Sequence, residues 1–196
     1  MNEFIVATRA DWRRHVGSRM SPRQVLTAIS LDVGLQALLV YRFGRLLRAG
    51  RRKPYAWPVL PFGWLLYLMA AELIRKCYDI RLALTADIGP GFWIGHFGGI
   101  ELVNCRVGAR CTVGQQSRVG SAAETDGPQV GEGVWIGAHA RIQGRTRIGD
   151  GATIAPGAQV FKDIPSRALV VGNPGRVAAR GYDNSAIVPG DALQMR

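Results

Sequence analysis

One imidazole lies in a run nearly stripped of side-chain bulk, Ile94-Gly95-His96-Phe97-Gly98-Gly99-Ile100. Histidine titrates near neutral pH, and the glycines leave room for a ligand beside it, so His96 has the makings of a general base. The competing reading is a corner histidine without chemistry. His139, in Gly137-Ala138-His139-Ala140, falls at an outward turn position, where a solvated or interface role suits it. Lys162, Arg167 and Arg176 lie near one another in sequence and could meet phosphate groups; as isolated cations they read first as solvated.

The elements that must hold His96 follow from a repeat. From Ile88 to Val160 an aliphatic residue returns at a six-residue spacing (Ile88, Ile94, Ile100, Val107, Val113, Val119, Val130, Ile136, Ile142, Ile148, Ile154, Val160), and a glycine follows most of them. Neither a helix nor an ordinary strand has that period, whereas a parallel β-helix built from hexapeptides does. The aliphatic residue should point inward, and the glycine should serve a positive φ or a close backbone approach. Four residues after the aliphatic come small or β-branched residues, among them Gly98, Cys111, Ser117, Val134, Ala140, Thr146, Ala152 and Ala158, which fit a second inward slot. The spacing widens to eleven between Val119 and Val130, so residues 120–129 should leave the coil as a loop covering substrate or cofactor.

The chain of 196 residues has 25 Lys and Arg against 14 Asp and Glu, a formal charge of +11, which favours anionic partners. It carries no nucleic-acid-binding motif, and nucleic acid is not an expected partner. Cys77, Cys105 and Cys111 have neither metal nor redox spacing; Cys111 reads as a core residue and the compartment as reducing and cytoplasmic.

Ahead of the coil, Met1 to Met20 lacks the apolar core of a signal peptide. Ser21-Pro22-Arg23-Gln24 reads as a helix start, with the helix running from Val25 to Ala49 and Gly50 as its stop. Its Arg42, Arg45 and Arg48 form a stripe, either solvated or resting on anionic lipid. A second helix should start near Pro61 and run to about Tyr78. The uncharged, aromatic-rich stretch from Tyr55 to Ala71, behind Arg51-Arg52-Lys53, suits a membrane surface better than a span; burial against the coil or a neighbouring subunit competes. The organisation expected is a helical region over 1–80, a β-helix over 81–178 with its loop at 120–129, and a loosely ordered tail over 179–196.

The glycine-flanked His96, the loop, and Lys162-Asp163-Ile164-Pro165 followed by Gly172-Asn173-Pro174 resemble the hexapeptide-repeat acyltransferases, in particular serine acetyltransferases and the similar enzymes that O-acetylate bacterial polysaccharides. The resemblance covers about half the chain. It implies a mainly β protein, a left-handed parallel β-helix preceded by helices, assembled as a homotrimer, with acetyl-CoA as donor and His96 deprotonating an acceptor hydroxyl. It further implies that Gly120 and Ser121 lie near the thioester, that Gly137, Ala138 and Pro156 let the pantetheine arm approach, and that Lys162 and Arg176 meet the phosphates. No metal is implied: a γ-class carbonic anhydrase shares the coil but needs three zinc histidines, and the repeats hold two.

Two features depart from serine acetyltransferases. Their loop histidine precedes a proline, where this chain has Gly127 before Pro128, and their Asp-Ile-His-Pro run is replaced by Arg81-Leu82-Ala83-Leu84. Glu101 is the candidate replacement carboxylate for orienting His96. These departures favour a sugar acceptor in polysaccharide or glycan synthesis, at the inner membrane face. The alternatives are serine O-acetylation and a non-catalytic trimeric scaffold.

Overall fold

The computed structural model describes residues 2–16, 30–50, 60–95, 98–123 and 126–188. The repeat closes into a three-faced parallel coil of short strands. Face 1 stacks β1 (Ile80–Leu82), β4 (Ile100–Leu102), β7 (Arg118–Val119), β10 (Arg141–Ile142) and β13 (Gln159–Val160) in that order. Face 2 stacks β2 (Asp87–Ile88), β5 (Arg106–Val107), β8 (Gln129–Val130) and β11 (Arg147–Ile148). Face 3 stacks β3 (Trp93–Ile94), β6 (Thr112–Val113), β9 (Trp135–Ile136), β12 (Thr153–Ile154) and β14 (Ala168–Val171), and ends on an antiparallel strand, β15 (Arg176–Arg180).

The register matches residues one coil apart: Val113 pairs with Ile136, and Ile136 with Ile154. Every aliphatic residue of the repeat is buried, at 5% exposure or less, and Cys111, Ser117, Val134, Ala140, Thr146, Ala152 and Ala158 fill the second slot, also buried. Strand alternation sends the preceding residue outward, which makes each face chemically distinct. Face 1 presents Arg81, Glu101, Arg118 and Arg141; face 3 presents Trp93, Thr112, Trp135 and Thr153.

Except at Gly120, where the loop departs with φ 80°, no glycine that follows an aliphatic residue has a positive φ, and most answer to close approach. A Cβ on Gly108 would fall 2.5 Å from the Gly131 carbonyl oxygen of the next coil. Positive φ appears two residues further on, at Arg110 (57°), Gln116 (58°) and His139 (61°).

Among the described residues the long helices at the first coil are α1 (Asn2–Val16), α2 (Val33–Gly50) and α3 (Leu60–Tyr78). The helix expected from Val25 does not run through: Asp32 breaks it, accepting the Leu35 N–H at 2.9 Å as an N-cap, and α2 starts at Val33. The expected start at Ser21 and the aromatic residues Tyr55 and Trp57 lie outside the described residues. The second helix begins at Leu60 and ends at Tyr78, as its sequence indicates. Among the described residues no helix is long and apolar enough to cross a membrane.

The arginine stripe is turned onto the coil: Arg42 is buried, while Arg45 and Arg48 reach the coil from its exposed margin. The first turn has no coil before it, so the backbone C=O and N–H groups that alternate along that edge must find other partners. Arg42 donates to the Ile88 and Gly89 carbonyls, both at 2.6 Å, Arg48 to Leu84 at 2.8 Å, and Tyr41 Oη to Ala86 at 2.8 Å. Arg45 pairs with Asp87 at 2.8 Å. Arg42 is 7% exposed and pairs with buried Asp11 of α1 at 2.9 Å, so the charge that covers the edge is itself compensated.

The end of the chain also differs from expectation. Within the described tail, the Tyr182 N–H reaches the Arg167 carbonyl at 2.7 Å, Asn184 Nδ2 donates to Gly133 at 3.0 Å, and Val188 is buried.

Candidate active site

Two columns of corners flank face 1. The column leading into it contains Gly95 and Gly98-Gly99 on the first coil, then Gln116, then Gly137-Ala138-His139, then Ala155-Pro156-Gly157. The column is tied vertically by Gln116 N–H to Gly98 at 2.7 Å, His139 N–H to Gln115 at 2.8 Å and Gly157 N–H to Ala138 at 2.8 Å. Gly137 sits hard against the next coil, where a Cβ would fall 2.6 Å from Pro156 N, so Gly137, Ala138 and Pro156 form one close-packed, low-bulk wall. His96 and Phe97 lie outside the described residues; the residues on either side of them, Gly95 and Gly98, belong to this column. His139 is exposed on it.

The column leaving face 1 holds the loop. Gly120, at φ 80°, donates its N–H to Ile142 at 2.9 Å, and Ser121 Oγ accepts the Ala123 N–H at 3.2 Å. Asn104 Nδ2 holds the Ser121 carbonyl at 3.0 Å. On return, the Pro128 carbonyl accepts from Arg106 N–H at 2.9 Å, and Gly127 packs its backbone directly on the Asn104 carbonyl. Glu124 and Thr125 of the loop lie outside the described residues. Lys162 stands exposed on this same column, on the fifth coil after β13.

Face 1 between the columns is cationic. Glu101 accepts from Arg81 Nη1 at 3.0 Å and lies 3.8 Å from Arg118 Nε, with Arg141 next in register. The expected carboxylate is thus held inside an arginine ladder whose positive charge exceeds its own. Arg176 lies apart from these residues, exposed on β15 opposite Val171. The ladder itself was missed in the sequence: the residue before an inward aliphatic faces out, which marks Arg118 and Arg141, but Glu101 precedes Leu102, which takes the register place expected of Ile100.

Sequence reading also missed a polar cluster behind β3. His15 of α1 stacks on Trp93 at 4.3 Å between ring centroids, bonds Asp32 at 2.7 Å and approaches the Phe92 carbonyl at 3.3 Å. Burial alone would raise the Asp32 carboxyl; the hydrogen bond and charge of His15, with the Leu35 and Gly34 N–H groups, outweigh it and hold the carboxyl below its ordinary value. Arg14 bonds the Gly91 and Cys111 carbonyls and Thr112 Oγ1, and Asp11 accepts the Phe92 N–H at 3.0 Å. Nothing periodic marks these residues.

Burial pushes the Cys105 and Cys111 thiols up to about 12, so neither supplies a thiolate. Among the described residues no three His, Cys, Asp or Glu side chains come together to hold a metal ion.

A wall of glycine and alanine beside a cationic strip, on a hexapeptide coil preceded by helices, defines the class. The family model for bacterial transferase hexapeptide (six repeats) matches residues 127–162. No curated protein matches the sequence. Among solved structures, serine acetyltransferase from Brucella abortus strain S19 superposes with a TM-score of 0.69 at 22% identity, covering 93% of this chain and 70% of that one. A serine acetyltransferase in complex with CoA gives 0.67 at 23% identity, covering 90% and 68%. Soybean serine acetyltransferase complexed with serine gives 0.67 at 25%, covering 91% and 70%. The repeat matches that family model over this segment, and the architecture is the left-handed β-helix with N-terminal helices seen in the serine acetyltransferase structures.

Proposed function

We propose that the protein is an acyl-CoA-dependent O-acyltransferase that moves an acetyl group from acetyl-CoA to a hydroxyl. The observation that carries this reading is face 1: an arginine ladder bounded by the low-bulk Gly137-Ala138-Pro156 wall on one side and by Gly120, Ser121 and Lys162 on the other. Stacked guanidinium groups suit the phosphates of an extended anionic donor, and corners without bulk suit its narrow arm. Arg176 adds a further cation above face 3.

His96 is the proposed base. It takes the acceptor hydroxyl proton as the oxygen adds to the thioester carbonyl, then returns that proton to the sulfur as the C–S bond breaks. Backbone N–H groups at the glycine-rich corners are the candidate donors to the oxyanion. Glu101 is the proposed carboxylate partner, steadied by Arg81 and Arg118. Because the loop leaves the column on the far side of face 1 from Gly95 and Gly98, a loop from a neighbouring copy is the natural lid over His96, which supports a homotrimer.

Serine is the acceptor that the structural neighbours favour. A sugar hydroxyl is the second reading, and one feature of this chain supports it. Gly127 sits against the Asn104 carbonyl with no space for a Cβ, so a histidine cannot stand before Pro128 as the loop is folded here. The test is thiol release from acetyl-CoA by wild type, His96→Ala and Glu101→Gln, with serine and a panel of sugars. Acceptor-dependent turnover should fall about 10²–10⁴-fold in His96→Ala. Turnover with serine alone fixes the first acceptor and with sugars alone the second; turnover unchanged in His96→Ala removes the proposed base.

A further inference from the structure

Trp93 is the outward residue of β3, three positions before His96, and the acyl-transfer chemistry leaves its ring unused. Its neighbours Phe92 and Ile94 are buried, at 0% and 3% exposure, whereas Trp93 keeps part of its surface open. One face of the ring has a fixed backing. His15 stacks on it with 20° between the planes, and the His15 side chain, itself without exposed surface, is held by Asp32 and the Phe92 carbonyl. Arg14, beside His15, ties α1 to the Gly91 and Cys111 carbonyls, so the plate under the indole is anchored to the coil.

The edge of the indole borders the corner of the proposed site. A Cβ on Gly95 would fall 3.6 Å from Trp93 Nε1, so the five-membered ring lies alongside this exposed glycine, and the next residue is His96. Gly98 and Gly99 follow, and a Cβ on Gly98 would meet nothing nearer than 3.9 Å. The indole N–H of Trp93 has no hydrogen-bond partner among the described residues and is not a buried group. A preset aromatic plane with a free donor at its rim, next to a corner without bulk, suits a flat, partly apolar ligand that carries hydroxyls. A pyranose ring is such a ligand: its C–H face lies on the indole while its hydroxyls reach the rim. Serine has no such face, and the ring supplies nothing to it. We propose that Trp93, backed by His15, is the specificity-determining platform for the acceptor, stacking on a sugar ring and turning one hydroxyl toward His96. This inference rests on the acyl-transfer reading and chooses the sugar between its two acceptors.

The experiment measures sugar contact and turnover separately, on the full chain as wild type, Trp93→Ala and Trp93→Phe. Saturation-transfer NMR with the methyl glycosides of glucose, galactose, mannose and N-acetylglucosamine reads contact. Thiol release from acetyl-CoA, with the same sugars and with serine, reads turnover, and circular dichroism and CoA binding check that the variants fold. Wild type should transfer saturation to the ring C–H protons of a glycoside; Trp93→Ala should lose that transfer and Trp93→Phe keep part of it. The KM for that sugar should rise about three- to tenfold in Trp93→Ala while the KM for acetyl-CoA stays unchanged. No glycoside contact in wild type, contact or sugar KM unaltered in Trp93→Ala, or turnover with serine alone overturns the inference. An equal rise in both KM values marks a merely structural ring and overturns it as well. Glycoside contact that depends on Trp93, with no thiol release from any acceptor, removes the acyl-transfer reading and keeps the sugar platform.

Discussion

The two ends of the coil are closed by opposite means. The first turn has no coil before it, and the protein meets its outward carbonyls and N–H groups with side chains from helices: Arg42, Arg48 and Tyr41 from α2, Arg14, His15 and Asp11 from α1. The last turn is closed with backbone, pairing β14 with the antiparallel β15. A side-chain closure depends on a few charged residues placed from far away in sequence. A backbone closure asks only for a short extended segment that doubles back. The first should therefore be the more fragile to single substitutions, and the proposed base lies on the coil it covers.

That asymmetry can be broken at three places. Arg42→Met should cost the most, about 3–5 kcal/mol, since it strips the donor from two carbonyls and leaves Asp11 buried without its cation. Hydrogen exchange should show lost protection in α1 and α2 with the amides of β9 and β12 unchanged; equal loss throughout would mean that helices and coil unfold as one unit. Ala179→Pro, which removes a donor from β15 opposite Leu169, should cost about 1–3 kcal/mol, read from denaturant unfolding, and loosen only the last coil. Asp32→Ala should cost about 0.5–2 kcal/mol through the lost N-cap. The Asp32 carboxyl lies below its ordinary 3.8 in the folded state, so its contribution is present above that pH and is lost as pH falls through the lowered value. Thermal stability of wild type should therefore drop across that acid window more steeply than that of Asp32→Ala; parallel curves would show that Asp32 does not couple to folding.

How far the chain could be read before folding follows the same division. Apart from Ile100, whose place in register Leu102 takes, the inward column from Ile88 to Val160, the second slot from Cys111 to Ala158, and the departure of the loop at Gly120 were legible, because each coil repeats the environment of the one beneath and a local pattern is the whole instruction. The span of α3 was legible from its uninterrupted apolar run. The arginine stripe was visible as spacing but not as purpose: Arg42 on a helix face looks the same whether it meets water, lipid or a carbonyl. Its partners, Ile88, Gly89 and Asp11, lie more than thirty residues away.

By itself, then, the sequence determined the coil, the low-bulk turn around His96 and the break at 120–129, since these depend on residue type and period alone. Tertiary structure alone decided that Glu101 is held by Arg81 and Arg118, that Gly127 has no space for a side chain, and that the helices serve as the lid of the first turn. The physical reason is that unsatisfied backbone groups exist only where the repeat stops. What satisfies them is set by which distant side chains folding brings to that edge.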